Sequence, residues 1–319
     1  GEPLRIGITH VHHFYTKRNL WFFSAFLSKA LAERLPMFVF TGPIYSANKM
    51  YRWTPNYEGG GPLSGTLFVP SIIRDISAPS AIGRFVSKLP SVLRKIELFD
   101  KKNCVNGCAS LTDMSQIPEE SVDYCFIDPP FGGNLMYSEL NFLWEAWLKV
   151  FTNNKTEAIE NKVQGKGLIE YQQLMTRCFE EYYRVLKPGR WMTVEFHNSR
   201  NSVWNAIQEA LQHAGFVIAD VRTLDKQQGS FNQVTTGGAV KQDLIISAYK
   251  PTDVLVERFN LEAGTEEGVW DFTRTHMRQL PVFVGKDDKV EIIAERQNYL
   301  LYDRMVAFHV QRGVTIPLS

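Results

Sequence analysis

The sequence contains no hydrophobic run that approaches the roughly 20 consecutive apolar residues needed to span a bilayer, so we expect no membrane segment. Only four of its 319 residues are cysteine, which excludes a disulfide scaffold and predicts a reducing compartment, the cytoplasm. The formal net charge is +1, so contact with a nucleic acid would have to come from local basic patches. A hydrophobic content of 44% leaves ample material for a buried core.

Potential metal ligands are present, but they lack the spacing of a metal site. Cys104 and Cys108 have no second cysteine pair nearby, and His10, His12 and His13 have no acidic or cysteine residue close in sequence. A structural zinc needs four ligands. The sequence therefore predicts no metal site.

Helical and apolar strand patterns alternate in the middle of the chain, as is typical of an α/β sheet. The continuous apolar run at residues 122–127 is bounded by turn residues and predicts a strand buried on both faces. Further strands are predicted at 4–9, 67–69, 191–196, 216–221 and 244–249, and helices at 16–35, 79–99, 137–150, 171–186 and 202–214. Pro90 should kink or break the second of these helices.

These patterns divide the chain into three segments. Residues 1–100 are predicted to be mainly helical and to pack on the sheet, and residues 101–251 to form the α/β core. Residues 252–319 are predicted to be helical, with helices around 262–279 and 287–312.

The tetrapeptide Asp128-Pro129-Pro130-Phe131 directly follows the apolar run, at the carboxyl end of a predicted strand, where open α/β sheets bind ligands. Two prolines fix φ twice and favour extended geometry in the residue before each of them. The result is a stiff turn that holds one carboxylate and several carbonyls in fixed directions, followed by an aromatic ring. Such a turn suits methylation of an exocyclic amine, because a carboxylate and a carbonyl that accept both amine hydrogens aim the nitrogen lone pair.

Several blocks around this tetrapeptide resemble one family. Residues 121–132 with Tyr137-Ser138-Glu139-Leu140 and residues 143–148 resemble the catalytic block of large bacterial and archaeal DNA methylases, which are similar to amino-methyltransferases with a D/N/S-P-P-Y/F motif. Residues 184–191 (RVLKPGRW), 242–251 (QDLIISAYKP) and 13–20 (HFYTKRNL) resemble other parts of the same enzymes. The resemblance covers most of residues 10–251 and implies a Rossmann-like class I methyltransferase sheet with added helical segments at both ends.

The resemblance also implies roles for the residues of the tetrapeptide. Asp128 would accept one hydrogen of the target amine and the Pro129 carbonyl the other, while Pro130 would keep the turn rigid. Phe131 stands where a Tyr is commoner and would stack on a base that has left the DNA stack. The implied substrate is DNA, and the implied cofactor is S-adenosyl-L-methionine.

Further candidates surround these residues. Thr16, Lys17, Ser110 and Asp113 are expected at the cofactor. Tyr137 and His197 are expected to line the base pocket, and Lys226 and Ser230, in the polar segment 225–241, to contact phosphate. Plain packing or surface roles remain open for all of them.

The Gly-rich F-x-G-x-G turn that usually holds the methionine end of the cofactor is missing from the sequence. We therefore expect a fragment of a longer protein, with an incomplete sheet, that on its own binds the cofactor weakly or not at all. Adenine N6 is the favoured target, as in restriction-modification systems. Cytosine N4 remains open because it needs the same acceptors, and a degenerate domain that serves as a DNA-binding or scaffold subunit remains open because of the missing turn.

Overall fold

The computed structural model describes residues 2–55, 61–97, 103–198, 200–224, 243–280, 284–286, 289–291 and 293–317. The chain folds into two units, the first formed by residues 1–108 and 136–154, the second by residues 109–135 and 155–319. None of the helices in these described ranges is long and apolar enough to cross a membrane. The three-segment division drawn from the sequence stays a prediction.

The first unit is helical. Its helices are α1 (Glu2–Arg5), α2 (Lys17–Ala32), α3 (Phe38–Ile44), α4 (Ala78–Glu97) and α5 (Tyr137–Leu148), with a 3-10 turn at Val11–Phe14. They enclose an apolar cluster that includes the fully buried Phe23, Phe40 and Met50. Asn19 is buried among them and donates its amide hydrogens to the carbonyls of Ala47 and Ile76, so the polar group is satisfied.

Two strand predictions for the first unit are wrong. Residues 4–9 are not a strand: Leu4 belongs to helix α1, where the fixed φ of Pro3 suits a first helical turn. Residues 67–69 form no strand either. Of the predicted kink or break at Pro90, the break does not occur: the exposed Pro90 lies within α4, which continues to Glu97.

The described residues of the second unit form a four-stranded sheet of β1 (Val122–Ile127), β2 (Leu186–Phe196), β3 (Val217–Leu224) and β4 (Asp243–Tyr249). The strand order is β1-β2-β4-β3, with β1 parallel to β2 and both β2 and β3 antiparallel to β4. Helices α6 (Leu168–Val185) and α7 (Asn201–His213) cover one face of the sheet. Phe179 of α6 and Ile207 of α7 share an apolar core with Val194 and Phe196 of β2. The α/β fold predicted from the sequence is confirmed.

Strand β1 is buried on one face only, which corrects the prediction of burial on both. Cys125 and Ile127 lie in the core with α6 and α7, whereas Tyr124 and Phe126 on the opposite face are 53% and 59% exposed. The cause is position: β1 is the edge strand of the sheet that the described residues form. The side chains of its outer face therefore lack the cover that a central strand receives.

In its described residues, the C-terminal part of the second unit contains three helices, α8 (Asp253–Leu261), α9 (Glu266–Gln279) and α10 (Asn298–Gln311), and a short hairpin of β5 (Val284–Lys286) and β6 (Lys289–Glu291). The prediction of two helices is therefore wrong in number. Gly264 has a φ of +77° and Thr265 caps α9, so the chain turns between α8 and α9. These helices pack on the sheet residues Val217, Ala219 and Tyr249.

Candidate active site

The Asp-Pro-Pro-Phe turn lies at the carboxyl edge of the parallel strand pair. Ile127, the last residue of β1, is opposite Val194 of β2, which ends two residues later at Phe196. The residues that follow both strands therefore share one edge of the sheet. Asp128 is exposed there, and Phe131 is half-buried. A carboxylate at this edge is placed where α/β sheets bind ligands.

Three successive carbonyls after the first proline accept hydrogen bonds from within the second unit. The hydroxyl of Tyr171, fully buried on α6, donates to the carbonyl of Pro130 at 2.7 Å. The side-chain amide of Asn198 donates to the carbonyl of Phe131 at 3.0 Å, and the backbone N–H of Glu160 donates to that of Gly132 at 3.2 Å. The turn is thus fixed from three different parts of the chain.

Gly132 permits this close packing. Its φ is +67°, in the left-handed region that residues with a Cβ rarely adopt. A Cβ at this position would lie 2.8 Å from Oε1 of Glu160 and 3.2 Å from Cγ1 of Val203. The Glu160 carboxylate is itself held by Arg200, whose Nη1 lies 2.9 and 3.0 Å from its two oxygens. The backbone after the turn therefore passes through space that only glycine leaves open.

The ring of His197, the first residue after β2, lies beside the turn. Its centroid is 6.2 Å from that of Phe131, and Phe131 also packs edge-on against Phe196 at 5.3 Å. Nδ1 of His197 is 2.7 Å from Oδ1 of Asp243, at the start of β4. The distance is that of an ion pair, but the contact lacks hydrogen-bond geometry, and Nδ1 has no hydrogen-bond partner among the described residues. The side chain of Asp243 is only 6% exposed, so this pair is the inner wall of the sheet edge.

The cysteines near this site do not act as nucleophiles. Burial raises the pKa of Cys125, on β1, to about 11, and does the same for Cys178 on α6. Both thiols therefore stay protonated at neutral pH, whereas a nucleophilic cysteine reacts as the thiolate. The described residues also contain no group of three or more His, Cys, Asp or Glu side chains that could hold a metal ion. The chemistry of this edge is that of hydrogen-bond acceptors and one His–Asp pair.

The residues predicted to contact the cofactor have local structural partners. Thr16 caps α2 by accepting a hydrogen bond from the N–H of Asn19, and Lys17 is the exposed first residue of that helix, in the first unit. In the second unit, Ser110 lies 2.9 Å from the hydroxyl of Thr112, and Asp113 accepts a hydrogen bond from the N–H of Ser115. Ser110 and Asp113 lie in a turn and follow no strand of the described chain. Their cofactor roles stay predictions.

These observations do not fit a complete pocket for S-adenosyl-L-methionine. In the ranges that the structure describes, no Gly-rich turn follows a strand, and the backbone at Gly132 is closed off by Glu160, Val203 and Asn198.

The predicted substrate residues divide between described and undescribed parts of the chain. Tyr137 is the first residue of α5, in the first unit, and is 39% exposed. His197 lies beside the turn, and its role in a base pocket stays a prediction. Lys226 and Ser230 lie outside the described residues.

Sequence reasoning missed the residues that fix the turn. Asn198 follows His197 at a strand end and could have been found by the same rule that selected His197. Asp243 and Asp123 both stand just before an apolar run, yet Asp123 is exposed and Asp243 is buried. The sequence around Asp243 therefore does not predict its burial beside His197. Tyr171 lies 41 residues from its acceptor in sequence, and its helical pattern indicates only a core residue.

Comparison with solved structures finds similar folds at low identity. A Thermus thermophilus protein assigned as a DNA modification methylase, complexed with S-adenosyl-L-methionine, is 16% identical over 52% of this chain and 64% of that chain, with a TM-score of 0.27. A SAM-dependent methyltransferase from Methanosarcina mazei is 11% identical over 52% and 79%, with a TM-score of 0.28. The [4+2]-cyclase SpnF is 14% identical over 52% and 63%, with a TM-score of 0.30. The chain thus spans less than two thirds of the first structures it matches, and scores this low carry no conclusion about activity.

Among curated proteins no sequence matches significantly. A family model described as DNA methylase, of the N6/N4 methyltransferase type, matches residues 122–297, more than half of the chain. The match begins at β1 and includes the Asp-Pro-Pro-Phe turn, the whole four-stranded sheet and the residues that fix the turn from α6 and β2. The chain therefore belongs to this family of DNA methylases, whose methyl donor is S-adenosyl-L-methionine.

Proposed function

We propose that this protein transfers a methyl group from S-adenosyl-L-methionine to the exocyclic amine of a DNA base, adenine N6. The observation that carries the proposal is an exposed carboxylate, Asp128, on a turn whose next carbonyls are held by Tyr171, Asn198 and Glu160. A turn fixed in this way positions its acceptors before the substrate binds, which is the condition for electrostatic catalysis.

The chemistry follows from the nature of the amine. The lone pair of an exocyclic amine is delocalised into the base, so the nitrogen is a poor nucleophile. The carboxylate of Asp128 and the carbonyl of Pro129 would accept its two hydrogens and draw the nitrogen toward tetrahedral geometry. The lone pair then points away from the ring. This is positioning and preorganised charge, without a covalent intermediate.

The base reaches this edge only after leaving the DNA stack. The ring of Phe131 would stack on it, although its packing against Phe196 leaves only part of the ring for that contact. His197 is proposed to line the pocket, and Lys226 and Ser230 to contact phosphates, while the predicted base contact of Tyr137 stays a prediction. A net charge of +1 means that such local contacts would supply the electrostatic part of DNA binding. All four cysteines are free, in keeping with the expected cytoplasmic location.

Cytosine N4 is the alternative target, because its amine offers the same two hydrogens to the same acceptors. A non-catalytic DNA-binding or scaffold role is the second alternative, favoured by the lack of a Gly-rich cofactor turn in the described residues.

The target base can be identified directly from the product. The protein in its full natural length would be incubated with DNA and S-adenosyl-L-methionine, and the digested nucleosides measured by mass spectrometry. We expect N6-methyladenine. Detection of N4-methylcytosine instead would identify cytosine as the target. Absence of both products with intact DNA binding would favour the scaffold role.

Asp128→Ala tests the centre of the proposal. Loss of one preorganised acceptor should lower the rate by about 100-fold to 1,000-fold, as loss of an oxyanion-hole donor does in other enzymes. Single-turnover rates measure the effect, thermal denaturation checks that the variant is folded, and an unchanged rate would remove Asp128 from the mechanism.

A further inference from the structure

We propose that helix α4 is a DNA-binding element whose row of basic side chains contacts the phosphates of the substrate duplex. This assignment rests on the proposed function, because it takes DNA as the substrate. It supplies the local basic patch through which a chain of net charge +1 can bind a polyanion. We call this patch the basic face of α4, and it consists of Arg84, Lys88 and Lys95.

The charge of α4 has one sign over almost the whole helix. Residues 76–96 contain no acidic residue and four basic ones, Arg84, Lys88, Arg94 and Lys95. All four are exposed, and none of them forms an ion pair with a carboxylate in the described parts of the chain. The helix dipole favours basic residues in the last turn, such as Arg94 and Lys95, but it does not account for Arg84 and Lys88. These charges are therefore available to an anionic ligand.

Helical spacing brings the members of the basic face to one side of α4. Arg84, Lys88 and Lys95 are at positions i, i+4 and i+11, which lie within about 40° of one another around a helix. Ser87 and Ser91 lie beside them, and their small side chains bond back to the carbonyls of Arg84 and Lys88 at 3.0 and 2.8 Å. Along the helix axis Arg84 and Lys95 are about 16 Å apart, or about five base pairs of a DNA strand.

The first half of α4 is fixed in the first unit, whereas the second half is exposed. Ala81 is buried, and the ring of Phe85 lies so close to Gly42 of α3 that a Cβ at Gly42 would collide with it. Residues 86–95 are exposed, apart from the half-buried Leu89. The helix is thus supported at one end, and a duplex can approach the cations of the other.

The opposite side of the exposed half carries three exposed apolar residues, Val86, Val92 and Leu93. A basic amphipathic helix of this kind also fits an apolar groove of a protein partner. The charge favours DNA, because four cations without an ion pair among the described residues match a row of phosphates. The family to which the chain belongs also acts on DNA.

The test measures the affinity of the full-length protein for a fluorescent DNA duplex by anisotropy, between about 50 and 200 mM salt. The combined variant Arg84→Gln, Lys88→Gln and Lys95→Gln removes three charges and keeps good helix-forming residues. We expect it to bind at least about tenfold more weakly and to reduce the slope of log Kd against log salt by about 2.7, which is about 0.9 for each phosphate contact. The loss should be equal on duplexes of different sequence, because phosphates carry no sequence information.

Two control variants separate the basic face from other causes. The combination of Lys29→Gln, Arg177→Gln and Arg278→Gln removes the same charge from exposed positions on α2, α6 and α9. This control, and the pair Val92→Ser with Leu93→Ser, should keep the wild-type affinity and slope. Equal weakening by either control overturns the proposal, because the effect then comes from net charge or from the apolar side.

The outcomes also separate this proposal from the proposed function. If the basic-face variant keeps the wild-type affinity and slope, the proposal is overturned and α4 is left to a protein partner, while the methylase function stands. If the wild-type protein binds DNA through α4 but methylates no base, only the proposed function is wrong. If the wild-type protein binds no duplex, both are wrong.

Discussion

Gly132 is the residue at which a single methyl group should disturb the turn most. Gly132→Ala would force a residue with a Cβ into a φ of +67° and place that Cβ 2.8 Å from the Glu160 carboxylate. The strain alone should cost about 1–2 kcal/mol, and displacement of Glu160 adds to it because Arg200 holds that carboxylate. We expect a clear loss of stability, measured by urea denaturation.

Gly165 offers a matched control for this prediction. Its φ of +68° is nearly that of Gly132, but a Cβ there would meet nothing within 4 Å. Gly165→Ala therefore carries the backbone strain without the collision. The difference between the two variants isolates the effect of packing at the turn. Equal losses of stability would show that the space around Gly132 has no importance of its own.

Helix α6 contributes to the turn through one hydroxyl group. Tyr171→Phe removes the donor to the Pro130 carbonyl and leaves that carbonyl poorly satisfied, at a cost of about 1–3 kcal/mol in folding stability. Because the carbonyl belongs to the turn that carries Asp128, we also expect a lower methylation rate at saturating substrate. Single-turnover kinetics and urea denaturation of the same preparation measure both.

Tyr182→Phe is the control on the same helix. Tyr182 is partly buried against the same core, and burial raises the pKa of its phenol, but in the described part of the chain its hydroxyl makes no hydrogen bond to the turn. This variant should keep the wild-type rate. A rate loss of similar size in both variants would assign the effect to general loosening of α6.

Strands and helices differ in how far the sequence predicts them. The bounds of β1 were predicted as observed, because five of its six residues, all except Asp123, are apolar or strand-forming and turn residues bound the run on both sides. The exposure of the outer face of β1 was not predicted, since the local pattern of a strand does not reveal whether it lies at the centre or the edge of a sheet. Residues 4–9 have a strand-like pattern too, but a strand also needs a partner, and the first unit provides none in the described residues.

The candidate site was also predicted only in part, because the partners of its motif lie far from it in sequence. Asp128 to Phe131 were recognisable because a short, continuous motif carries their chemistry. The partners that orient this motif come from α6, from the loop before it and from the segment after β2. Only the fold brings them together, so single side chains such as Tyr171 or Asp243 have no sequence signal that separates them from ordinary core or strand-end residues.

At the scale of the whole molecule, the C-terminal helices contain buried titratable groups that should make the fold sensitive to acid. His276 is fully buried, accepts or donates a hydrogen bond with the Tyr249 hydroxyl at 3.0 Å, and is stacked on Phe272. Burial, with the nearby charge of Arg304, lowers the pKa of His276 from 6.5 to about 4. Burial also lowers the pKa of His309, on α10.

The pH dependence follows from proton binding. Between pH 6.5 and about 4 the unfolded chain protonates His276 and the folded chain does not, so protons favour unfolding. The stability is fully present above pH 6.5 and is lost as the pH falls toward 4, by about 3 kcal/mol for a shift of this size. Lowering of the His309 pKa acts in the same direction.

His276→Gln should separate this effect from other acid-sensitive groups. A glutamine can still bond to the Tyr249 hydroxyl and stays neutral at every pH, so the free energy of unfolding should change less between pH 7 and pH 4.5 than in the wild type, whatever the variant costs at neutral pH. His213→Gln, at an exposed position on α7, should leave the wild-type pH dependence intact. If His276→Gln loses as much stability on acidification as the wild type, the acid sensitivity comes from other groups. Protonation of the buried His276 then does not cause the loss of stability at low pH.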